Sequence, residues 1–173
     1  MGRTPALMMP GLVLSAWTAA SLAGEEPANS HVRLVLGNLA EKKYALPDGD
    51  YLLLARQPQG VVSDTVVYEL DAGRIAFVPG THSTAPLRCQ TLSPAQAKLL
   101  REVAALDSVQ TLPRDNGKFG MDGWALVAVM RLSGRTKIIG HWAPDAPAVE
   151  LLAGILDREL NVGTRRPPSR GGP

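Results

Sequence analysis

Residues 124–142, WALVAVMRLSGRTKIIGHW, constrain the fold more than any other stretch of this chain. Two arms of eight or nine residues flank Ser133-Gly134, a pair suited to a two-residue hairpin turn. Apolar residues occupy both parities of the first arm: Trp124, Leu126 and Met130 on one, Val127 and Val129 on the other. A strand with one face in water alternates, so the pattern predicts two central strands covered on both faces. A chain that must cover such a hairpin needs further strands beside it and helices over it.

The rest of the sequence supplies them. Residues 51–57 (YLLLARQ) form an apolar run short enough for a buried strand. Residues 66–70 and 74–78 flank Asp71-Ala72-Gly73, and glycine suits the left-handed position of a three-residue hairpin loop. Residues 87–91 alternate as a further strand, with Leu87, Cys89 and Thr91 on one side. Residues 31–37 (HVRLVLG) read as a first strand. One helix opens at Ser93, with Pro94 in the first helical position and Gln96 in the third, a capping box. Leu99, Leu100, Val103 and Leu106 are its predicted apolar stripe. A second helix opens at Asp145, carries Val149, Leu152, Ile155, Leu156 and Leu160 inward, and ends at Gly163. Residues 108–123 read as an irregular link. The expected class is α+β: an antiparallel sheet of two hairpins plus N-terminal strands, in ββαββα order, with two helices packed on one face.

The first 23 residues read as a signal peptide rather than as fold. Arg3 precedes an apolar run at 7–23, and Ser21 and Ala23 are small residues where a signal peptidase reads. Residues 24–30 then form a polar leader, 31–163 one domain, and 164–173 a disordered Arg/Pro/Gly tail. The expected location is periplasmic or extracellular, with membrane contact only through an uncleaved signal segment. Without Arg3 the chain holds 17 basic and 16 acidic residues, and without Arg165, Arg166 and Arg170 the balance becomes 14 to 16. The basic character therefore belongs partly to the tail. With no basic face, nucleic acid is not an expected partner.

Cys89 is the only cysteine, so no intrachain disulfide can form. A buried structural thiol is the leading reading of it, and an intermolecular disulfide the second. His31, His82 and His141 lack metal-ligand spacing, and no zinc motif occurs. Asp115, Asn116 and Asp122 are weak calcium candidates in a glycine-containing loop without EF-hand spacing. No nucleophile elbow and no phosphate-binding glycine loop is present, so no cofactor is expected. Trp124, Trp142 and His141 lie near the ends of the second hairpin. Either the tryptophans plug the ends of the sheet, or one of them anchors a partner, since Trp is enriched at binding hot spots. The leading functional expectation is a non-catalytic binding module for an extracytoplasmic protein. The alternative is a small extracytoplasmic hydrolase.

The segments LLLARQPQG, VVYELDAGRIAF, LSPAQAKLLREV, DGWALVAV, GRTKIIG and AVELLAGIL, spread over residues 52–160, resemble in layout small bacterial exported domains of unknown function. They are also similar to emfourin, an inhibitor of thermolysin-type metalloproteases. The resemblance implies a binding loop after the first long strand, where Arg56, Gln57 and Gly60 stand. The double glycine of that loop is absent. Asp122 and Trp124 fall where an acidic and an aromatic residue open the second hairpin.

Overall fold

The computed structural model describes residues 30–58, 61–118, 123–143 and 146–164. Its elements run α1 (Ser30–Glu41), β1 (Tyr51–Pro58), β2 (Thr65–Glu69), β3 (Arg74–Val78), β4 (Arg88–Thr91), α2 (Pro94–Ala105), α3 (Asp107–Gln110), β5 (Trp124–Leu132), β6 (Arg135–Trp142) and α4 (Pro147–Thr164). The class is α+β. All six strands join one antiparallel sheet in the order β4-β3-β2-β1-β5-β6. The expected signal segment, most of the polar leader, residues 165–173, Gly60, Asp122 and Asp145 lie outside the described residues.

Side-chain parity divides the core into two layers. Leu52, Leu54, Val66, Tyr68, Leu126, Met130 and Ile139 face α2 and α4, meeting Leu100, Ala104, Val149, Leu152 and Leu156. Tyr51, Leu53, Ala55, Val67, Val127 and Val129 face the other way, toward Val32, Val35 and Leu39 of α1. A helix thus covers the second face, where sequence reasoning placed none. Residues 31–37, expected as a strand, belong to α1. Val32, Val35 and Leu39 repeat at helical spacing and are buried together.

The second hairpin forms as expected. Ser133 and Gly134 have φ of 49° and 78°, the positive pair that matches strand twist in a two-residue turn. Gly73, at φ 62°, takes the left-handed position expected in the first hairpin. Of the two arms only β5 is central. β6 is a sheet edge, although its C-terminal half is buried.

The capping box at α2 is complete: Ser93 Oγ accepts from Gln96 N at 3.2 Å and Ser93 N donates to Gln96 Oε1 at 3.0 Å. The buried face of α2 is Ala97, Leu100 and Ala104, with Val103 partly buried. Leu99 and Leu106, expected in that stripe, are 59% and 43% exposed. The sheet touches only one side of α2, and a narrow stripe of small residues suffices to seat it. Ile155, expected in the core, is partly buried. α4 runs through Gly163 to Thr164, so glycine does not end it there. The expected irregular link opens with the short α3.

An ion cluster ties the turn end of the sheet. Asp50 N donates to Asp71 Oδ2 at 2.7 Å, Ser133 N donates to Asp50 Oδ1 at 2.7 Å, and Arg101 pairs with Asp71. The hydrogen bond from Asp50 N, helped by Arg101, holds the Asp71 carboxyl below its ordinary range.

Candidate functional site

The opposite end of the sheet gathers most of the residues singled out from sequence. β1 ends at Pro58, beside Trp124 at the start of β5, and Ala125 pairs with Trp142 at the end of β6. Neighbouring residues of a strand project to opposite faces, so this end splits in two. Toward α4, Arg56 pairs with Asp157, and its guanidinium carbon lies 4.1 Å from the centroid of the Trp124 ring. Such a stack orients the guanidinium while keeping its charge-assisted bond. Toward α1, Gln57 Oε1 accepts from His31 Nδ1, and the His31 ring stacks on Trp142 with centroids 5.5 Å apart. Gln57 Nε2 donates to Pro58 O and, at 3.3 Å, to Val61 O. Gln57 and Trp142 are 1% and 5% exposed.

These residues therefore build the end of the sheet. Buried polar groups need partners, and Gln57 finds one in α1, while Nη2 of the partly buried Arg56 finds one in α4. Sequence reasoning missed His31 and Asp157, because only tertiary packing brings them within reach of β1.

The β6 edge is closed by the segment after α3. Lys137 Nζ donates to Gln110 O at 2.8 Å and Leu112 O at 2.6 Å, and His141 Nε2 donates to Pro113 O at 2.8 Å. Gly140 N donates to Arg114 O at 2.8 Å, and Asp115 bridges Gly140 in parallel. Asn116 clasps the strand end: its Nδ2 donates to Trp142 O at 2.8 Å and its Oδ1 accepts from Trp142 N at 3.2 Å. Of the calcium candidates, Asp115 Oδ1 accepts from Gly117 N at 2.6 Å, and the Asn116 oxygen serves Trp142 and Lys118. Among the described residues, no three or more His, Cys, Asp or Glu side chains group as metal ligands.

The β4 edge is different. All four of its side chains are exposed, Cys89 among them, which corrects the buried reading of that thiol. Among the described residues, the helix on the side where Cys89 stands, α1, sits over β1, β5 and β6 rather than over β4. Leu92 N donates to Gly73 O at 2.9 Å, and Cys89 stands opposite Ala76 and Thr91 opposite Arg74. Bonded and non-bonded pairs alternate along an antiparallel ladder. The backbone N–H and C=O groups of Cys89 and Thr91 therefore point away from β3. No strand among the described residues pairs with them.

At the Arg88 end of β4 lies an open cleft of about 450 Å³. Val61, Val62 and Leu160 supply apolar wall, and Asp64, His82, Ser83 and Arg88 polar wall. The loop carrying His82 and Ser83 is held from several sides. Thr81 N donates to Val62 O at 3.0 Å, Val62 N to Thr81 Oγ1 at 3.1 Å, and Gly80 N to Asp64 Oδ1 at 3.0 Å. Asn38 Nδ2 donates to Pro79 O at 3.1 Å and Lys42 Nζ to Ser83 O at 3.0 Å, both from α1. A Cβ at Gly80 would lie 2.3 Å from Val62 O, so only glycine lets the two backbones approach this closely.

Under the β2–β3 pair, Tyr44 donates to Glu69 Oε1 at 2.7 Å and Arg74 pairs with the same oxygen at 2.7 Å. Burial, then the bond to Glu69, raises the Tyr44 hydroxyl above its ordinary value. Burial raises Tyr68 and Tyr51 likewise.

No family model, no curated protein and no solved structure matches this chain. Among the described residues, no helix is long and apolar enough to cross a membrane.

Proposed function

We propose that this chain is a non-catalytic binding module that takes an extracytoplasmic protein partner along the β4 edge. One observation carries the reading: the chain closes the β6 edge of its sheet with its own backbone and side chains, while no strand among the described residues pairs with the outer side of β4. A bare edge is a template for strand addition, in which main-chain hydrogen bonds supply affinity and side-chain pockets supply choice. The apolar leader at 7–23 supports the extracytoplasmic location. The resemblance of the sequence to emfourin-type inhibitors suggests the narrowest version of the reading, in which the partner is a metalloprotease.

Titrating the full chain against thermolysin-type and other secreted proteases tests that version, with activity and complex formation as readouts. A complex at micromolar concentration that Thr91→Pro abolishes supports it. No complex with any of them sinks the inhibitor version. Turnover of simple ester or peptide substrates by the purified chain would instead favour a hydrolase.

A further inference from the structure

Among the described residues, the closure of β6 stops short of its hairpin turn, and an open recess of about 400 Å³ lies there. Met130 and Leu132 of β5 and Arg135, Thr136 and Lys137 of β6 line it, with Ala105 at the end of α2 and Gln110 at the end of α3. We infer that this recess binds a small organic carboxylate with a short aliphatic body. The carboxylate sits at Arg135, the Thr136 N–H and Lys137, and the body lies over Met130 and Leu132 against Ala105. The recess stands at the opposite edge of the sheet from β4, so the inference does not rest on the protein partner proposed above.

Register brings the groups together. Leu132 pairs with Arg135 and Met130 with Lys137, so these four side chains share the face that carries α2. Two apolar side chains thus lie beside two cationic ones. Arg135 is exposed and has no hydrogen-bond or ion-pair partner among the described residues. Lys137 Nζ gives two of its three hydrogens to Gln110 O at 2.8 Å and Leu112 O at 2.6 Å, which pins the ammonium and leaves one hydrogen. Thr136 contributes its backbone. Gly140 N donates outward to Arg114 O, and outward N–H groups recur at every second residue of an edge strand. The Thr136 N–H therefore points outward too, and nothing among the described residues accepts from it. Three donors, two of them charged, come from three consecutive residues.

Charge and shape favour an amphipathic carboxylate. None of the described residues that line the recess is acidic. Asp50, in the adjoining turn cluster, is engaged by Ser133 N and Arg101. The planar fork of Arg135 matches the two oxygens of a carboxylate, and one negative charge balances this one uncommitted cation. A bare inorganic anion would leave Met130 and Leu132 uncovered. A neutral aliphatic molecule would cover the charged donors without satisfying them. About 400 Å³ lies within the range of small-ligand sites. Gln110 Nε2 donates to Ala104 O at 2.6 Å, and Lys137 ties the same wall to β6. The wall is therefore fixed before any ligand arrives, and little ordering cost remains for binding.

The test titrates the full chain, isotopically labelled, with hexanoate, its neutral counterpart hexanamide, and acetate, at neutral pH and constant ionic strength. Hexanoate is expected to shift the amide resonances of Thr136 and Lys137 with a dissociation constant on the order of 1 mM, the reach of so small a ligand. Hexanamide and acetate are each expected to bind at least tenfold more weakly. Arg135→Met is expected to weaken hexanoate at least tenfold at an unchanged melting temperature, because Arg135 holds no other group. Ala105→Phe, at an exposed position, is expected to fill the recess and abolish the shifts, and so checks the place independently of charge. Hexanamide binding as tightly as hexanoate overturns the carboxylate assignment. Acetate binding as tightly as hexanoate overturns the apolar body. Hexanoate affinity unchanged by Arg135→Met removes Arg135 from the site. Absence of shifts at Thr136 and Lys137 at saturating hexanoate, or shifts that persist in Ala105→Phe, overturns the site itself.

Discussion

Along β6 the sheet ends against its own chain, whereas along β4 no strand among the described residues follows. Residues 110–116 lie beside β6 and meet its backbone at Gly140 and Trp142 and its side chains at Lys137 and His141. β4 has four exposed side chains and an outer row of backbone groups with no strand beside it among the described residues. β4 is short, carries Arg88 and follows Pro86, features that discourage indiscriminate edge pairing. The contrast teaches that edge closure here is a property of one neighbouring segment. The link between α3 and β5 returns along β6, and no segment among the described residues does the same for β4.

The comparison can be broken at the closed edge first. Trp142→Ala removes the ring that stacks on His31 and fills the end of the α1 layer. It is expected to cost roughly 3–5 kcal/mol, as large-to-small changes at buried aromatics do. In a chain of this size that is a fall of about 10 °C in melting temperature by calorimetry. Asn116→Ala removes both bonds to the Trp142 backbone while leaving the ring in place, and about 1–3 kcal/mol is expected. Amide exchange should show the loss locally, at Trp142 and Gly140. Exchange at Trp142 unchanged by Asn116→Ala would mean that the link does not close this edge.

The layer beneath β2 and β3 gives a smaller effect with a pH signature. Tyr44→Phe removes one donor to Glu69, which keeps Arg74, and about 1 kcal/mol is expected. Because the folded-state pKa of Tyr44 is raised above that of the unfolded chain, its contribution is present below about pH 10 and is lost as pH rises further. Denaturant melts between pH 9 and 11 should therefore fall less steeply for Tyr44→Phe than for the parent. A parallel fall would remove Tyr44 from the account. The smallest effect belongs to the bare edge itself. Cys89→Ser and Thr91→Pro are expected to move stability by no more than about 0.5 kcal/mol, since nothing in the described chain rests on that side of β4. A loss of several degrees from either change would show that β4 is not free.

Sequence patterning reached the elements whose signals are local. The Ser93 cap, the Ser133-Gly134 turn and the Gly73 loop each depend on a few adjacent residues, and each is found in place. The strand reading of residues 31–37 failed because a short apolar run satisfies both periods, and the helical spacing of Val32, Val35 and Leu39 emerges only when Asn38 and Leu39 are included. Cys89 was placed inside because its strand alternates, but alternation does not say whether a layer covers the strand. Leu99 and Leu106 were placed inside because a four-residue stripe was assumed, whereas Ala97 and Ala104 do that packing. For the site, sequence reasoning named Arg56, Gln57, Trp124, His141 and Trp142, which the fold does bring to one end of the sheet. Their partners His31, Pro113 and Asp157 come from elements distant in sequence, and no local pattern announces them.

The helix that opens the described chain also limits where the chain can be cut. α1 begins at Ser30, its buried residues start at His31, and every residue named in the second core layer lies at Val32 or beyond. Processing after Ala23 would leave six residues ahead of that boundary. A cut ten residues further on would strip His31 from Gln57 and Trp142 and take Val32 from its layer, uncovering apolar sheet. α1 thus sets a limit past which a cut, whichever enzyme makes it, would dismantle this layer.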